Sequence, residues 1–206
     1  MNNIETIVFD VGNVLLDWNP RELYRTLFGE DGYLTHPLKD IVGGDVWLDM
    51  DRGASVAECL EALAPDYREE LTRIERFFRG VGEVIQPLKG SFECVEECKA
   101  RGYRLLLLSN FGREPWHQVR SRFAGFDMFD GGVISWEVRL LKPDRRIYEA
   151  LLAKYDLLPE KTLFIDDTAV NVEAAQKLGI GGLYLPREKS LKEELFSLLE
   201  RGSGTA

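Results

Sequence analysis

The sequence has no long apolar run and no leader-like start. None of its segments reaches the roughly 18 consecutive apolar residues that a membrane-spanning helix needs. Its first residues lack the basic region and following apolar stretch of a signal peptide. We therefore expect a cytoplasmic protein with no membrane partner. With 45% hydrophobic and 30% charged residues in a chain of 206, the composition is that of an ordinary globular protein.

Cysteine, histidine and positive charge are also scarce. The 3 cysteines and 2 histidines form no disulfide framework and no zinc-ligand spacing. Lysine and arginine total 26 against 35 acidic residues, which gives a net charge of -9. A nucleic-acid surface needs a summed positive field, so we expect no nucleic acid as a partner. A small anionic substrate is compatible with local cations, and we expect a monomer or a homodimer.

Short apolar segments alternate with amphipathic ones over most of the chain. Strands are predicted at 6–9, 103–108, 132–135, 162–165 and 182–185, and helices at 92–101, 115–123, 144–155 and 169–178. Alternation of this kind is typical of βαβ units, in which helices cover both faces of a parallel sheet. We predict an α/β fold with a doubly wound, Rossmann-like, mostly parallel sheet.

The pattern changes between residues 19 and 83, where no buried strand is predicted. Amphipathic helices are predicted at 21–28, 41–49, 55–63 and 66–78, and Ser55 with Glu58 fits a capping box. We predict a core of residues 1–18 and 84–206 and a helical cap of residues 19–83. The cap would lie over the C-terminal edge of the sheet, where open α/β folds bind ligands. The nearby tryptophans, Trp18, Trp47 and Trp136, are candidates to line the substrate pocket, and we favour packing between cap and core as their use.

Polar side chains follow the predicted strands at the points where they end. They are Asp10, then Ser109 and Asn110, then Lys142 in the loop before a helix, then Asp166 and Asp167. Parallel strands bring these positions to one edge of the sheet. Carboxylates that meet there repel one another unless a cation lies between them, and oxygen-only ligands suit Mg²⁺. Asp10 beside such an ion can attack phosphorus, while Lys142 and Ser109 balance charge on the transferring group.

These motifs, in this order, resemble the four motifs of the haloacid dehalogenase-like (HAD) hydrolase superfamily. The segments FDVGNVLLDW, LSNF, LKPDRRIYE and FIDDTAVNVEAA are similar to its α-glucose-1-phosphatase-like branch of sugar phosphatases. The resemblance implies an α/β core with a helical cap. It also implies a magnesium-dependent phosphatase that acts on a small phosphorylated metabolite, with a sugar phosphate favoured.

The resemblance implies a role for each motif residue. Asp10 is the nucleophile that forms an aspartyl-phosphate, and Mg²⁺ is held by Asp10, the backbone carbonyl of Gly12, and Asp167. Asp166 orients a metal-bound water. Asn171 matches a position that is often acidic.

The phosphoryl group has its own implied ligands. By the same resemblance Ser109 and Lys142 bind it, and the backbone of Asn110 assists them.

Gly12 departs from the pattern of most phosphatases in the superfamily. They carry an aspartate there, which protonates the leaving oxygen and later activates water, although the sugar phosphatase branch resembles this chain in having glycine. General acid–base help is worth about 10²–10⁴-fold in rate. Its loss predicts a slow enzyme, a substrate with a good leaving group, or a substitute acid from elsewhere in the chain.

Two other functions stay open at this point. A 2-haloacid dehalogenase also uses an aspartate nucleophile but needs no metal, and it has no use for the acidic pair of Asp166 and Asp167. A catalytically weak, phosphate-binding regulatory module is the alternative that Gly12 keeps open.

Overall fold

A parallel sheet forms the centre of the molecule, in a computed structural model that describes residues 4–203. Within these residues the sheet has five strands in the order β3-β2-β1-β4-β5. The strands are β1 (Thr6–Phe9), β2 (Arg104–Ser109), β3 (Gly131–Ile134), β4 (Thr162–Asp166) and β5 (Gly181–Tyr184). Because β1 is central and pairs in parallel with β2 and β4, its C-terminal end is flanked by theirs. The predicted doubly wound α/β fold is confirmed.

Helices cover both faces of the sheet. They are α1 (Pro20–Phe28), α2 (Leu38–Ile41), α3 (Asp45–Asp51), α4 (Val56–Tyr67), α5 (Leu71–Val84), α6 (Ser91–Ala100), α7 (Arg113–Arg122), α8 (Ser135–Val138), α9 (Arg145–Tyr155), α10 (Ala169–Gln176) and α11 (Leu191–Ser203). Ile7 and Phe9 of β1 pack in one hydrophobic cluster with α6 and α11, and Val8 packs in a second with α9 and α10. Side chains alternate across a strand, so a strand buried on both faces is apolar throughout.

The segment between β1 and β2 is helical, as the sequence predicts. Its apolar residues, including Trp47 and Phe77, belong to the same hydrophobic cluster as Ile7 and Phe9 of the sheet. The capping box predicted at the start of α4 is present. Since one continuous cluster joins helices α1–α5 to the sheet, the division into a core and a cap stays a prediction.

Three helices differ from those predicted. The helix expected at 41–49 is wrong, because α2 ends at Ile41, Gly43 takes a left-handed φ of 84°, and α3 begins at Asp45. The helix expected at 66–78 is also wrong, because α4 continues past Pro65 and α5 runs to Val84. The third, α11, was not predicted. No helix within residues 4–203 is long and apolar enough to cross a membrane.

Candidate active site

Three carboxyl groups meet at the C-terminal edge of the sheet. Asp10 follows β1, Asp166 is the last residue of β4, and Asp167 follows it. The two strands are in register, and the Asp10 backbone N–H donates to the Ile165 carbonyl at 2.9 Å, which extends their pairing by one residue. One oxygen from each carboxyl group lies within 4.8 Å of the others. The strand-end positions predicted to come together do so.

Lys142 is buried between two of these carboxylates. Its Nζ lies 2.8 Å from Asp10 Oδ1 and 2.6 Å from Asp166 Oδ2. The Asn110 side chain holds the Lys142 backbone in both directions, accepting from its N–H at 2.8 Å and donating to its carbonyl at 3.1 Å. Burial lowers the pKa of Lys142, but the charges of Asp10 and Asp166 outweigh it and raise that pKa above its ordinary value. Lys142 is therefore a fixed cation at this edge.

Asp166 is fully buried and bonded on both oxygens. Besides Lys142, it accepts from the Thr168 backbone N–H at 2.8 Å and from Asn171 Nδ2 at 3.1 and 3.2 Å. The side chain of Asp166 is thus directed at protein donors and fixes Lys142. The predicted part of Asp166 in orienting a metal-bound water stays a prediction, and Asn171 acts on Asp166 in this structure.

Asp167 is supported by two residues that the sequence analysis did not single out, Asn13 by direct contact and Arg187 through Asn13. Asn13, which has a left-handed φ of 53°, donates from Nδ2 to Asp167 Oδ2 at 2.9 Å. Arg187, in the loop after β5, donates to Asn13 Oδ1 at 3.2 Å and also pairs with Asp17. The one available signal was that Asn13 and Arg187 both follow strands, on the same edge as the carboxylates.

The donor set fits a hard divalent cation. Burial raises the pKa of Asp10, Lys142 opposes this, and the neighbouring charges of Asp166 and Asp167 add to it. Burial likewise raises the pKa of Asp167, a hydrogen bond from Asn13 lowers it, and Asp166 raises it. Three carboxylates around one lysine leave an excess of negative charge. Asp10, Asp167 and the backbone of Gly12 face a common cavity with oxygen donors, the ligand type that Mg²⁺ prefers.

A cavity of about 610 Å³ is lined by these groups and by further polar and apolar side chains. Its polar lining includes Ser109, the last residue of β2, together with Asn110 and Lys142. Its apolar lining includes Trp18, Trp47, Leu48, Val81, Ile85, Phe111, Pro115 and Val170. Trp18 and Trp47 pack with ring centroids 5.4 Å apart and also line the cavity, so both uses weighed for them from the sequence are present.

Gly12 stands where most phosphatases of the superfamily have an acidic residue, and Asp51 is another carboxyl group nearby in the cavity lining. A Cβ built on Gly12 would lie 3.6 Å from the nearest atom, Trp18 Cβ, so packing does not exclude a side chain there. Asp51, at the end of α3, is a further carboxyl group in the cavity lining. The sequence analysis missed Asp51 because its helix was predicted to end at Asp49.

The fold and these groups define a class of α/β hydrolase with an aspartate at the end of its central parallel strand. The profile of the haloacid dehalogenase-like hydrolase family matches residues 4–179. The chain belongs to this family, and it is a hydrolase.

Relatives within the family include phosphatases. A sesquiterpene phosphatase of Aspergillus oryzae is 28% identical, over 93% of this chain and 95% of its own. A phosphorylated carbohydrates phosphatase of Thermotoga maritima is 26% identical, over 88% of this chain and 84% of its own. A HAD-family enzyme of Bacteroides thetaiotaomicron, solved with magnesium and inorganic phosphate, superposes with a TM-score of 0.70 at 20% identity and covers 91% of this chain and 97% of its own. This last similarity establishes a shared fold.

Proposed function

We propose that the protein is a magnesium-dependent phosphatase that hydrolyses a small phosphorylated metabolite through an aspartyl-phosphate on Asp10. The observation that carries the proposal is that Asp10, Asp167, Ser109 and Lys142 line one cavity, although they come from four separate segments. Mg²⁺ held by Asp10, the Gly12 carbonyl and Asp167 would neutralise charge on the phosphoryl group as it transfers.

Asp10 is the proposed nucleophile. Its Oδ1 accepts from the Val11 backbone N–H at 2.7 Å and lies 2.8 Å from Lys142 Nζ. These contacts orient the carboxyl group, and Oδ2 is the oxygen that we assign to the attack on phosphorus. Lys142 also favours the ionised form of Asp10, which is the nucleophilic form.

The remaining polar groups hold the phosphoryl oxygens. Ser109 supplies a hydroxyl donor and Lys142 a cation, with the Asn110 backbone beside them. Asp166 and Asn171 act on the reaction through Lys142, because they fix its position. Preorganised donors of this kind stabilise charge without reorganising during the reaction.

The apolar part of the cavity lining supports a substrate with an apolar leaving group. Aromatic and aliphatic side chains make up much of this lining, and Trp47, Leu48 and Val81 of the helical segment 19–83 contribute to it. Such a surface offers few partners for sugar hydroxyls and agrees with the activity of the sesquiterpene phosphatase relative. We propose an apolar phosphate ester as the preferred substrate. A sugar phosphate is the second candidate, favoured by the carbohydrate phosphatase relative. Segment 19–83 acts as the cap that selects between them.

Substitution of Asp10 tests the proposed reaction. We expect the purified protein to release phosphate from a prenyl phosphate and from an aryl phosphate when Mg²⁺ is present, with a lower kcat/KM for glucose 1-phosphate. Asp10→Asn should reduce kcat by at least about 10⁴-fold, since it removes the nucleophile. Asp66→Asn, an exposed change in α4, is the matched control and should be unaffected.

Other results would contradict the proposal in distinct ways. Turnover that survives in Asp10→Asn would exclude Asp10 as the nucleophile. Chloride release from a 2-haloacid without metal would support a dehalogenase. Binding of inorganic phosphate without turnover of any ester would support a regulatory module.

A further inference from the structure

The cavity lining contains Asp51, a carboxyl group that has no role in the reaction proposed above. We propose that Asp51 is the general acid and base of this enzyme, and that it takes the place of the acid missing at Gly12. This inference rests on the proposed phosphatase function and assigns it a further catalytic residue.

Asp51 is held in the cavity wall by contacts that link α3, through Ser135 of α8, to the loop after β2. The residue is only 6% exposed, and it lines the same cavity as Asp10. The Ser135 hydroxyl donates to the Asp51 carbonyl at 2.6 Å, and the Phe111 backbone N–H donates to the Ser135 oxygen at 2.9 Å. The end of α3 is thereby tied to the loop that also carries the phosphate-binding positions.

Two glycines permit this close approach. A Cβ on Gly112 would lie 3.1 Å from Met50 Cγ, the side chain just before Asp51. A Cβ on Gly53 would lie 3.0 Å from the Trp136 carbonyl oxygen, and the φ of Gly53 is 105°, a conformation that disfavours other residues. The absence of side chains at Gly53 and Gly112 therefore allows the end of α3 to lie close to its neighbours on both sides of Asp51.

The environment of Asp51 favours a proton on it near neutral pH. Burial raises the pKa of Asp51 to about 7, against a hydrogen bond from the Gly112 backbone and the charge of Arg52, which lower it. The charge of Asp10 raises the pKa further, and that of Lys142 lowers it. A general acid works best with a pKa near the working pH, so Asp51 is suited to donate a proton and to take it back.

The two chemical steps then balance. In the first, Asp10 attacks phosphorus and forms a P–O bond, the ester P–O bond breaks, and the leaving oxygen takes the proton of Asp51 and departs as an alcohol. In the second, a water attacks phosphorus and gives a proton to Asp51, and the bond between phosphorus and Asp10 breaks. The products are an alcohol and inorganic phosphate, and both aspartates return to their starting states.

Leaving-group chemistry provides the test. Release of an alkyl alcohol needs a proton, whereas release of p-nitrophenolate does not. In single-turnover measurements with Mg²⁺, Asp51→Asn should slow alcohol release from an alkyl phosphate by about 10²–10⁴-fold. It should slow nitrophenolate release far less, by under about tenfold. After that fast release, phosphorylated Asp10 should accumulate and be seen by mass spectrometry of acid-quenched protein, because the second step has lost its base.

Asp49→Asn is the matched control, since it makes the same change at an exposed position of the same helix. It should leave both rates unchanged.

Retained nitrophenolate release shows that Asp51→Asn is folded and still has its nucleophile. Equal slowing of both substrates, or no slowing of either, would overturn the assignment of Asp51 as the acid. Absence of accumulated phosphoenzyme would overturn its assignment as the base. Inactivity of the unsubstituted protein on both esters would instead reject the proposed function.

Discussion

Asp51 has an energetic consequence for the folded state as well as a chemical one. Its pKa is raised from 3.8 to about 7 by burial, so the folded state binds a proton that the unfolded state has released at neutral pH. As pH rises from about 4 to 7, the unfolded state releases this proton while the folded state keeps it, which lowers the free energy of unfolding by a total on the order of 4 kcal/mol. Asp51→Asn removes the ionisation. We therefore expect Asp51→Asn to be more stable than the unsubstituted protein at pH 8.

The difference in stability should follow the titration of Asp51. Urea denaturation of both proteins between pH 5 and pH 8 measures it as a difference in the free energy of unfolding, which should grow with pH and level off above about 7. Asp49→Asn serves again as the exposed control and should show a difference that varies little over this range. A difference that shrinks with rising pH would show that Asp51 is stabilised as the charged form.

Residues at strand ends were predictable, and those placed by loops and helix ends were not. Asp10, Ser109 and Asp167 follow directly from the parallel order of the strands, which fixes the edge on which they emerge. Asn13 reaches Asp167 only because its backbone is left-handed, and sequence does not specify that the loop will turn in this direction. Asp51 depends on where α3 ends and on its contact with Ser135, which is distant along the chain.

At the scale of elements, helices α5 and α7 cross closely enough to require a glycine. A Cβ on Gly82 of α5 would lie 2.9 Å from the Cα and carbonyl oxygen of Pro115 in α7 and 2.2 Å from Gln118 Oε1. The two Pro115 atoms are backbone and cannot move without separating the helices. Val81, beside Gly82, and Ile85, just after α5, line the cavity. A small residue in α5 thus permits the close packing of α5 on α7 next to the cavity.

Alanine substitutions in α5 test the crossing. Gly82→Ala should lower the free energy of unfolding by about 1–2 kcal/mol, because overpacking costs about 1–3 kcal/mol and alanine regains up to about 1 kcal/mol of helix propensity. Gly80→Ala is the matched change, since its Cβ would meet the flexible end of the Leu27 side chain, at 2.6 Å. It should alter stability by less than about 1 kcal/mol. Equal destabilisation of the two variants, in urea denaturation, would show that the crossing is not the cause.

The same elements show where sequence patterns fail. Periodicity placed all five strands to within about a residue or two, because each strand is short, apolar and bounded by polar residues. It misplaced helix ends in the segment between β1 and β2. There Gly43 breaks one predicted helix, and α4 extends two residues beyond Pro65. Packing against neighbouring helices decides those ends, and a single helix's periodicity contains no information about its neighbours.

At the scale of the whole molecule, charge is unevenly arranged. The chain has a net charge of -9, and the C-terminal edge of its sheet concentrates Asp10, Asp166 and Asp167 around one lysine. These carboxylates repel one another in the folded state and are separated in the unfolded state. A divalent cation that binds among them should therefore stabilise the fold as a whole, because it binds the folded state far better than the unfolded one.

Thermal unfolding with and without Mg²⁺ tests this linkage. At a free Mg²⁺ concentration about 100 times its Kd, linkage contributes about 2.7 kcal/mol, which corresponds to a rise in Tm of about 5–10 °C for a chain of this length. Asp167→Asn removes a proposed ligand and should abolish most of the rise. Asp127→Asn, a change at an exposed residue outside the cavity lining, should retain it. Sodium chloride of matched ionic strength controls for general screening of the net negative charge.

An equal rise in Tm with sodium chloride, or an undiminished rise in Tm in Asp167→Asn, would show that the stabilisation does not come from a metal site at the sheet edge. A rise that is specific to Mg²⁺ and lost with Asp167 would tie the charge cluster, the metal and the stability of the fold to one place.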